Sequence, residues 1–134
     1  MSTNERVKKS KPEEMKKQRI LMLHGYRQSE MAFRERSGGL RKALKSQCEF
    51  IFCEAPHLVP KSVTEKVDNE EATNSDERGW WFSADDDSYN ALDVTECDKG
   101  FEKSLDYLNE TFRQHEPIDG ILGFSQGGCL AGIL

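Results

Sequence analysis

The chain has 134 residues, enough for about one domain, and it is 36% apolar and 32% charged. Its formal net charge is −5, but residues 1–19 alone carry seven Lys/Arg against three Glu. The acidic remainder excludes a nucleic-acid-binding body, because neutralising phosphates requires a basic face. We therefore predict a disordered basic tail over residues 1–18 and a folded body over residues 19–134, with RNA, an anionic surface or an import receptor as alternative contacts of the tail.

The composition gives no sign of secretion, of a membrane span or of a bound metal. No segment has the pattern of a secretory signal, and none approaches the roughly 18 apolar residues of a membrane span. Asp85-Asp86-Asp87 lacks flanking ligands at calcium-loop spacing, so neither a metal nor a cofactor is expected. The cysteines show neither a CxxC pair nor zinc-site spacing, so we expect reduced thiols at Cys48, Cys53, Cys97 and Cys129. We expect a cytoplasmic protein, with entry into the nucleus as an open alternative.

The first half of the chain predicts two buried strands separated by helical structure. Residues 19–24 form a short continuous apolar run, as in a strand buried on both faces. Ser29 is a suitable N-cap for a helix that Gly38-Gly39 divides in two. Residues 49–55 predict the second strand. The buried side of the helical segment is expected to carry Met31, Phe33, Leu40 and Leu44.

The second half continues the alternation of strands and helices. Residues 57–83 predict a long irregular loop, of which residues 61–78 are polar and expected to be mobile. A helix is predicted over residues 95–115, a strand over 118–124 and an apolar helix over 126–134. Strands that alternate with helices predict an α/β fold with a doubly wound parallel sheet.

A Gly-x-Ser-x-Gly motif joins the last predicted strand to the last predicted helix. This placement is typical of a nucleophile elbow, which presents a serine on a sharp turn. Small residues are needed two positions before and after the serine, and Gly123 and Gly127 occupy them. We predict Ser125 as the catalytic nucleophile of a serine hydrolase. The alternatives are a structural glycine-rich turn and a nucleotide-binding module, for which the chain lacks the glycine pattern and the Walker lysine.

An oxyanion hole is predicted beside this serine. The helix that follows the motif directs backbone N–H groups toward the reacting oxygen, and the loop after the first strand is placed to supply another. We predict the backbone N–H groups of Tyr26 and Gln126 as the two donors. His24 is expected to be structural, since its neighbours contribute backbone to the site.

The aromatic residues Trp80, Trp81 and Phe82 have two interpretations. They fit the wall of an acyl pocket, and they equally fit a loop cluster that covers the sheet, because aromatic pockets and aromatic cores look alike in sequence. Both interpretations stay open at this point.

Several segments of the chain recur in one order in a known family: 20–29, 33–35, 39–44, Pro56-His57, 78–82 and 123–127. Together they resemble the family of serine hydrolases within the α/β-hydrolases, in particular the animal branch that includes the ovarian-cancer-associated esterase. The resemblance covers about residues 19–134 and implies an α/β-hydrolase fold, hydrolysis of carboxylic esters, and Ser125 as nucleophile with an Asp and a His later in the chain. Long-chain acyl esters or thioesters are the implied substrate class, with no cofactor.

No residue after Ser125 is Asp, Glu or His, and the three histidines of the chain, His24, His57 and His115, all precede it. In the order Ser…Asp…His none of them qualifies as the base, and His57 is only a weak candidate. We therefore expect the N-terminal part of an α/β-hydrolase domain, truncated after the elbow. As a separate polypeptide it is expected to be inactive and aggregation-prone. The alternative is a catalytically incomplete fragment or pseudoenzyme that acts by binding acyl groups or a partner; the oligomeric state is not indicated.

Overall fold

The computed structural model describes residues 16–61 and 76–134. Most of the predicted basic tail, residues 1–15, and most of the predicted mobile loop, residues 62–75, lie outside the described residues. Within them, no helix is both long and apolar enough to cross a membrane. In chain order the elements are β1 (Gln18–Leu23), α1 (Glu30–Arg36), α2 (Gly38–Ala43), β2 (Cys48–Cys53), β3 (His57–Leu58), β4 (Arg78–Gly79), α3 (Phe101–Gln114), β5 (Gly120–Gly123) and α4 (Gln126–Ile133).

The main sheet has three parallel strands in the order β2-β1-β5. Leu23, at the carboxyl end of β1, pairs with Cys53 on one side and with Gly123 on the other. The last three residues of β1 are fully buried, as expected of a strand covered on both faces. The predicted α/β class with a parallel sheet is confirmed, and its strands lie within about two residues of the predicted ones.

The core forms between this sheet and the two long helices. Leu108 of α3 and Leu130 of α4 are buried against the strand residues. α4 is apolar on every side, which predicts a buried helix, but only Gln126, Gly127 and Leu130 are buried and its last turn is exposed. The buried cluster contains Leu21, Leu23, Ile51, Cys53, Ala55, Trp80, Leu108 and Leu130.

The helical segment between β1 and β2 differs from prediction in its buried side. Ser29 caps α1 by accepting a hydrogen bond from the Ala32 N–H at 3.1 Å, and the helix breaks at Ser37, close to the predicted glycine pair. Phe33 is buried, but the expectation that Met31 and Leu40 are buried is wrong, because both are exposed. Residues two apart in a helix project about 200° from each other, so Met31 cannot share the face of Phe33.

The third predicted helix begins later than expected. α3 starts at Phe101 rather than near residue 95, because Gly100 adopts a left-handed backbone conformation with φ 88°. Upstream of Gly100, residues 93–98 form no helix, and Lys99 forms an isolated antiparallel bridge in which the Phe82 N–H donates to the Lys99 carbonyl at 2.9 Å. Since a side chain would be strained at φ 88°, glycine fixes the point where the helix begins.

Two short strands lie inside the segment that was predicted to be irregular. β3 and β4 pair in antiparallel fashion, with His57 opposite Gly79. The N–H of Arg78 donates to the Gln28 carbonyl at 2.8 Å, which ties β4 to the loop after β1. These bonds bring Trp80 and Trp81 next to the carboxyl ends of the sheet strands.

Candidate active site

Ser125 occupies a sharp turn between β5 and α4. Its backbone has φ 54° and ψ −119°, a conformation that non-glycine residues rarely adopt. Strained backbone of this kind persists only where the surroundings impose it, and it is concentrated at functional sites. Ser125 is also exposed. The turn therefore exposes Ser125 beyond the half-buried strand that precedes it.

The glycines on either side of Ser125 allow three elements to meet at the turn. A Cβ on Gly123 would lie 2.1 Å from the Gly127 carbonyl oxygen, and a Cβ on Gly127 would lie 2.2 Å from the Leu23 carbonyl oxygen. Neither position has room for a side chain, since real Cβ contacts are longer than 3.0 Å. The two residues predicted as elbow glycines thus lie at the closest approach of β5, α4 and β1.

The loop after β1 and the turn after β5 lie side by side. Leu23 and Gly123 are paired in the sheet, and a Cβ on Gly25 would lie 3.1 Å from the Phe124 ring. Tyr26 and Ser125 are thus each a few residues beyond neighbouring strand ends. Register alone brings the two predicted halves of the oxyanion hole to one edge of the sheet.

The two predicted oxyanion donors are backbone N–H groups without a partner in residues 16–61 and 76–134. In the turn 25–28, the N–H groups of Gly25, Arg27 and Gln28 each donate to an acceptor, whereas that of Tyr26 does not. Gln126 is the first residue of α4, and the first N–H groups of a helix have no acceptor within it. Both groups therefore remain available to an external acceptor.

The Gln126 side chain has a separate, structural role that the sequence did not indicate. It is fully buried, its Oε1 accepts from the Trp80 N–H at 2.8 Å, and its Nε2 donates to the Trp81 carbonyl at 2.8 Å. Both halves of the amide are therefore satisfied by one loop. A buried glutamine directly after a serine has no sequence signature of its own, so only the structure identifies this clamp.

Trp80 lies in the core. It is 0% exposed, its indole N–H donates to the His24 carbonyl at 2.9 Å, and its own carbonyl accepts from Ser104 Oγ at 2.5 Å. Phe82 is 4% exposed. These placements match the core alternative that the sequence left open for the aromatic segment, and the acyl-pocket role stays a prediction.

Trp81 belongs instead to a half-buried row of aromatic rings. Its ring meets Tyr89 edge-on at 5.7 Å and Phe101 at 5.8 Å, and Tyr89 contacts Tyr26 at 5.0 Å. Partial burial raises the pKa of Tyr26 and of Tyr89, so both phenols stay neutral at physiological pH. Tyr89 lies in a polar stretch of the sequence and was not predicted as a site residue. We call Tyr26, Tyr89 and Trp81 the aromatic row.

Backbone contacts occupy all three histidines. His24 is fully buried; its Nδ1–H donates to the Gly25 carbonyl at 2.8 Å and its Nε2 accepts from the Ala55 N–H at 3.0 Å. Burial lowers the pKa of His24, which keeps the ring neutral. His57 Nε2 donates to the Gly100 carbonyl at 2.7 Å, and His115 Nδ1 donates to the Thr111 carbonyl at 3.0 Å. Over the part of the chain that the structure describes, no group of three His, Cys, Asp or Glu is arranged to hold a metal ion.

Residues 13–134 match the family model described as Serine hydrolase (FSH1). The chain is 42% identical over 123 residues to the zebrafish (Danio rerio) protein Esterase OVCA2, covering 87% of this chain and 54% of that protein. It is 39% identical to human Esterase OVCA2 over 126 residues, covering 87% and 53% of the two chains. Esterase CG5412 of Drosophila melanogaster is 38% identical over 120 residues, covering 88% and 40%.

The chain spans about half the length of the curated relatives it matches. The matched region contains the parallel sheet, the turn at Ser125 and the loop after β1. The chain therefore belongs to the serine hydrolase (FSH1) family.

Proposed function

We propose that the protein hydrolyses carboxylic esters through an acyl-enzyme formed on Ser125. The observation that carries this proposal is the backbone of Ser125, held at φ 54° between a half-buried strand and an apolar helix. Such strain requires support, and the close approach of Gly123 and Gly127 supplies it. The membership of the family and the esterase names of the relatives agree with this reaction class.

In the proposed reaction Ser125 Oγ attacks the carbonyl carbon of the ester while a general base takes its proton. The carbonyl oxygen becomes an oxyanion and accepts hydrogen bonds from the Tyr26 and Gln126 backbone N–H groups. The tetrahedral intermediate then expels the alcohol, or the thiol of a thioester, which receives the proton. Water attacks the acyl-enzyme in the same way and releases the acid. Loss of one oxyanion donor typically costs about 10²–10³ in turnover.

We infer that none of the three histidines in this chain is the general base. His24 uses both ring nitrogens in buried hydrogen bonds, His57 donates to the carbonyl of Gly100 at the start of α3, and His115 donates to a carbonyl of its own helix. All three also precede Ser125, whereas the base follows the nucleophile in the order Ser…Asp…His. A base must lie within hydrogen-bond reach of the nucleophile. We therefore propose that the base lies in a part of the whole protein outside this chain, which spans about half the length of its relatives.

For the substrate we propose an ester with an apolar acyl chain, packed along the aromatic row. Trp81 retains the predicted acyl-pocket role because its ring is half-buried and it adjoins the Gln126 clamp. Tyr89 joins it to Tyr26, whose N–H is a proposed oxyanion donor. Aromatic rings with one face uncovered bind apolar chains well. Long-chain acyl esters or thioesters fit this wall.

A fluorophosphonate probe tests the nucleophile in the full natural protein. We expect covalent labelling on Ser125, and its loss in Ser125→Ala. Ser46→Ala is the matched control, because Ser46 is exposed in the turn before β2, and labelling should be unchanged. If the full protein resists the probe, or if Ser125→Ala still reacts, Ser125 is not an activated nucleophile.

The second candidate is a non-catalytic role for a polypeptide of these 134 residues, which would bind an acyl group or a partner. The observation that favours it is the engagement of every histidine with backbone atoms. The rate of labelling by the fluorophosphonate probe distinguishes the two candidates. The full protein should be labelled within minutes, and a polypeptide of these 134 residues should be labelled far more slowly. Residual reaction from an oxyanion hole alone is compatible with the second candidate. Equal labelling rates would contradict it.

A further inference from the structure

A basic groove lies at the N-terminal ends of the sheet strands, whereas Ser125 follows the C-terminal end of β5. It has a volume of about 500 Å³ and is open to solvent, and it is bounded by the ends of α1 and α2 and by the beginning of β2. Because the strands are parallel, the N-terminal end of β2 and the C-terminal end of β5 lie at opposite ends of the strands. The charged residues that line this basic groove are Lys17, Arg34, Arg41, Lys42, Lys45 and Glu49.

The carboxylate of the basic groove is already neutralised. Glu49 pairs with Arg19 at 2.8 Å, and outside the groove Glu30 pairs with Arg34 at 3.2 Å. Lys17, Lys42 and Lys45 have no carboxylate within ion-pair distance among residues 16–61 and 76–134. A protein with a net charge of −5 thus keeps three uncompensated ammonium groups around one concavity.

Arg41 is held in place by the same segment. Its Nε and Nη2 both donate to the Arg34 carbonyl, at 3.1 and 2.6 Å, and its guanidinium lies 5.8 Å from the centre of the Phe52 ring. Arg34 packs over the same ring at 4.4 Å. The guanidinium groups form a fixed wall, while the lysines are flexible point charges on the rim.

Helix dipoles account for only part of this charge. Arg41 and Lys42 are in the last turn of α2, where cations are favourable. Lys17 precedes β1 and gains nothing from the helix dipole, yet it lines the groove together with Lys45, which follows the end of α2. Bringing like charges to one site costs free energy unless an anion compensates them.

We propose that the basic groove binds a small phosphate-bearing molecule. A phosphate group carries up to two charges and several acceptor oxygens, which matches lysines and arginines around a concave site better than a single carboxylate does. Phe50 and Gly38 also line the groove and leave room for a less polar part of the ligand. Since the groove lies at the N-terminal ends of the strands and Ser125 at the C-terminal ends, this binding is independent of the proposed esterase reaction.

Pyrophosphate titration of the full natural protein, followed by calorimetry, tests the proposal. We expect saturable binding that weakens as salt is raised, and at least about tenfold weaker binding in the Lys42→Gln/Lys45→Gln variant, because two charge-assisted contacts are lost. Lys103→Gln is the matched control: Lys103 is exposed on α3, outside the groove, and binding should change less than about twofold.

Three results would overturn the proposal. One is no saturable binding of pyrophosphate at millimolar concentration. Another is an equal loss in Lys103→Gln, which would indicate a diffuse charge effect. The third is binding to vesicles that contain anionic phospholipid with none to pyrophosphate, which would assign the groove to a membrane surface. Circular dichroism of each variant verifies that it is folded.

Discussion

At the scale of single residues, Gly127 has no room for a side chain, because α4 lies directly against the end of β1 at this position. A Cβ there would lie 2.2 Å from the Leu23 carbonyl oxygen and 2.4 Å from that of His24, so the backbone of β1 would have to move. We expect Gly127→Ala to lower the free energy of unfolding by about 3 kcal/mol, as overpacking of a rigid contact does. Urea denaturation of the variant measures this loss.

Gly132 provides the control within the same helix. A Cβ at Gly132 meets no atom within 4 Å, so Gly132→Ala should raise the free energy of unfolding by about 0.5–1 kcal/mol through helix propensity alone. Equal effects of the two alanines would show that the contact between α4 and β1 is not tight.

His24 makes stability depend on pH. Burial lowers its pKa in the folded protein, whereas the unfolded chain titrates near the ordinary value of 6.5, so the unfolded state binds more protons in the interval between them. We therefore expect the free energy of unfolding to decrease as pH falls below about 6.5, and to level off below the folded pKa. His24→Gln should remove this part of the slope. Denaturation at pH 7.5, 6.5 and 5.5 measures it, and an unchanged slope in the variant would rule out His24 as its source.

At the scale of elements, α3 is joined to the aromatic loop by one buried hydrogen bond. Ser104 is fully buried and its Oγ donates to the Trp80 carbonyl at 2.5 Å. Ser104→Ala leaves that carbonyl without this donor, and we expect a loss of about 1–3 kcal/mol. Ser46→Ala, at an exposed turn, should change stability by less than about 0.5 kcal/mol. Thermal melts of both variants make the comparison; equal melting temperatures would contradict the proposed role of the bond.

The elements themselves were largely predictable because their signals are local. Buried strands such as β1 appear in the sequence as short apolar runs, and glycines at fixed spacing indicate the sharp turn at Ser125. The pairing of β3 with β4 joins residues about 20 positions apart, so no window of sequence contains it. The burial of Trp80 likewise depends on partners in the loop after β1, in α3 and in α4. The sequence shows that three aromatic residues follow one another, but it does not show which of them is buried.

At the scale of the whole molecule, one end of the structure exposes apolar surface. Phe124 is 52% exposed and Ile133 59%, and β5 is an edge strand of the described sheet. Open edges and apolar patches promote association between chains. We expect the 134-residue polypeptide to self-associate at micromolar concentration, which analytical ultracentrifugation detects.

Charge substitutions locate the surface responsible. Ile133→Glu should reduce the association, whereas Leu92→Glu, at an exposed position in the loop before α3, should not. A soluble monomer with a cooperative melt would contradict the prediction. Equal effects of both substitutions would indicate a general gain in solubility rather than a specific contact.

Gln126 combines two tasks in different atoms of one residue. Its side-chain amide holds the aromatic loop, while its backbone N–H is the proposed oxyanion donor. An alanine scan would therefore report a severe defect at this position without separating misassembly from lost rate enhancement. Replacing the backbone amide by an ester linkage, with the side chain intact, removes the donor alone. No substitution among the twenty amino acids that keeps the Gln126 side chain can remove its backbone N–H. Chemical synthesis of the protein is therefore needed to separate the structural role of the side chain from the catalytic role proposed for the backbone.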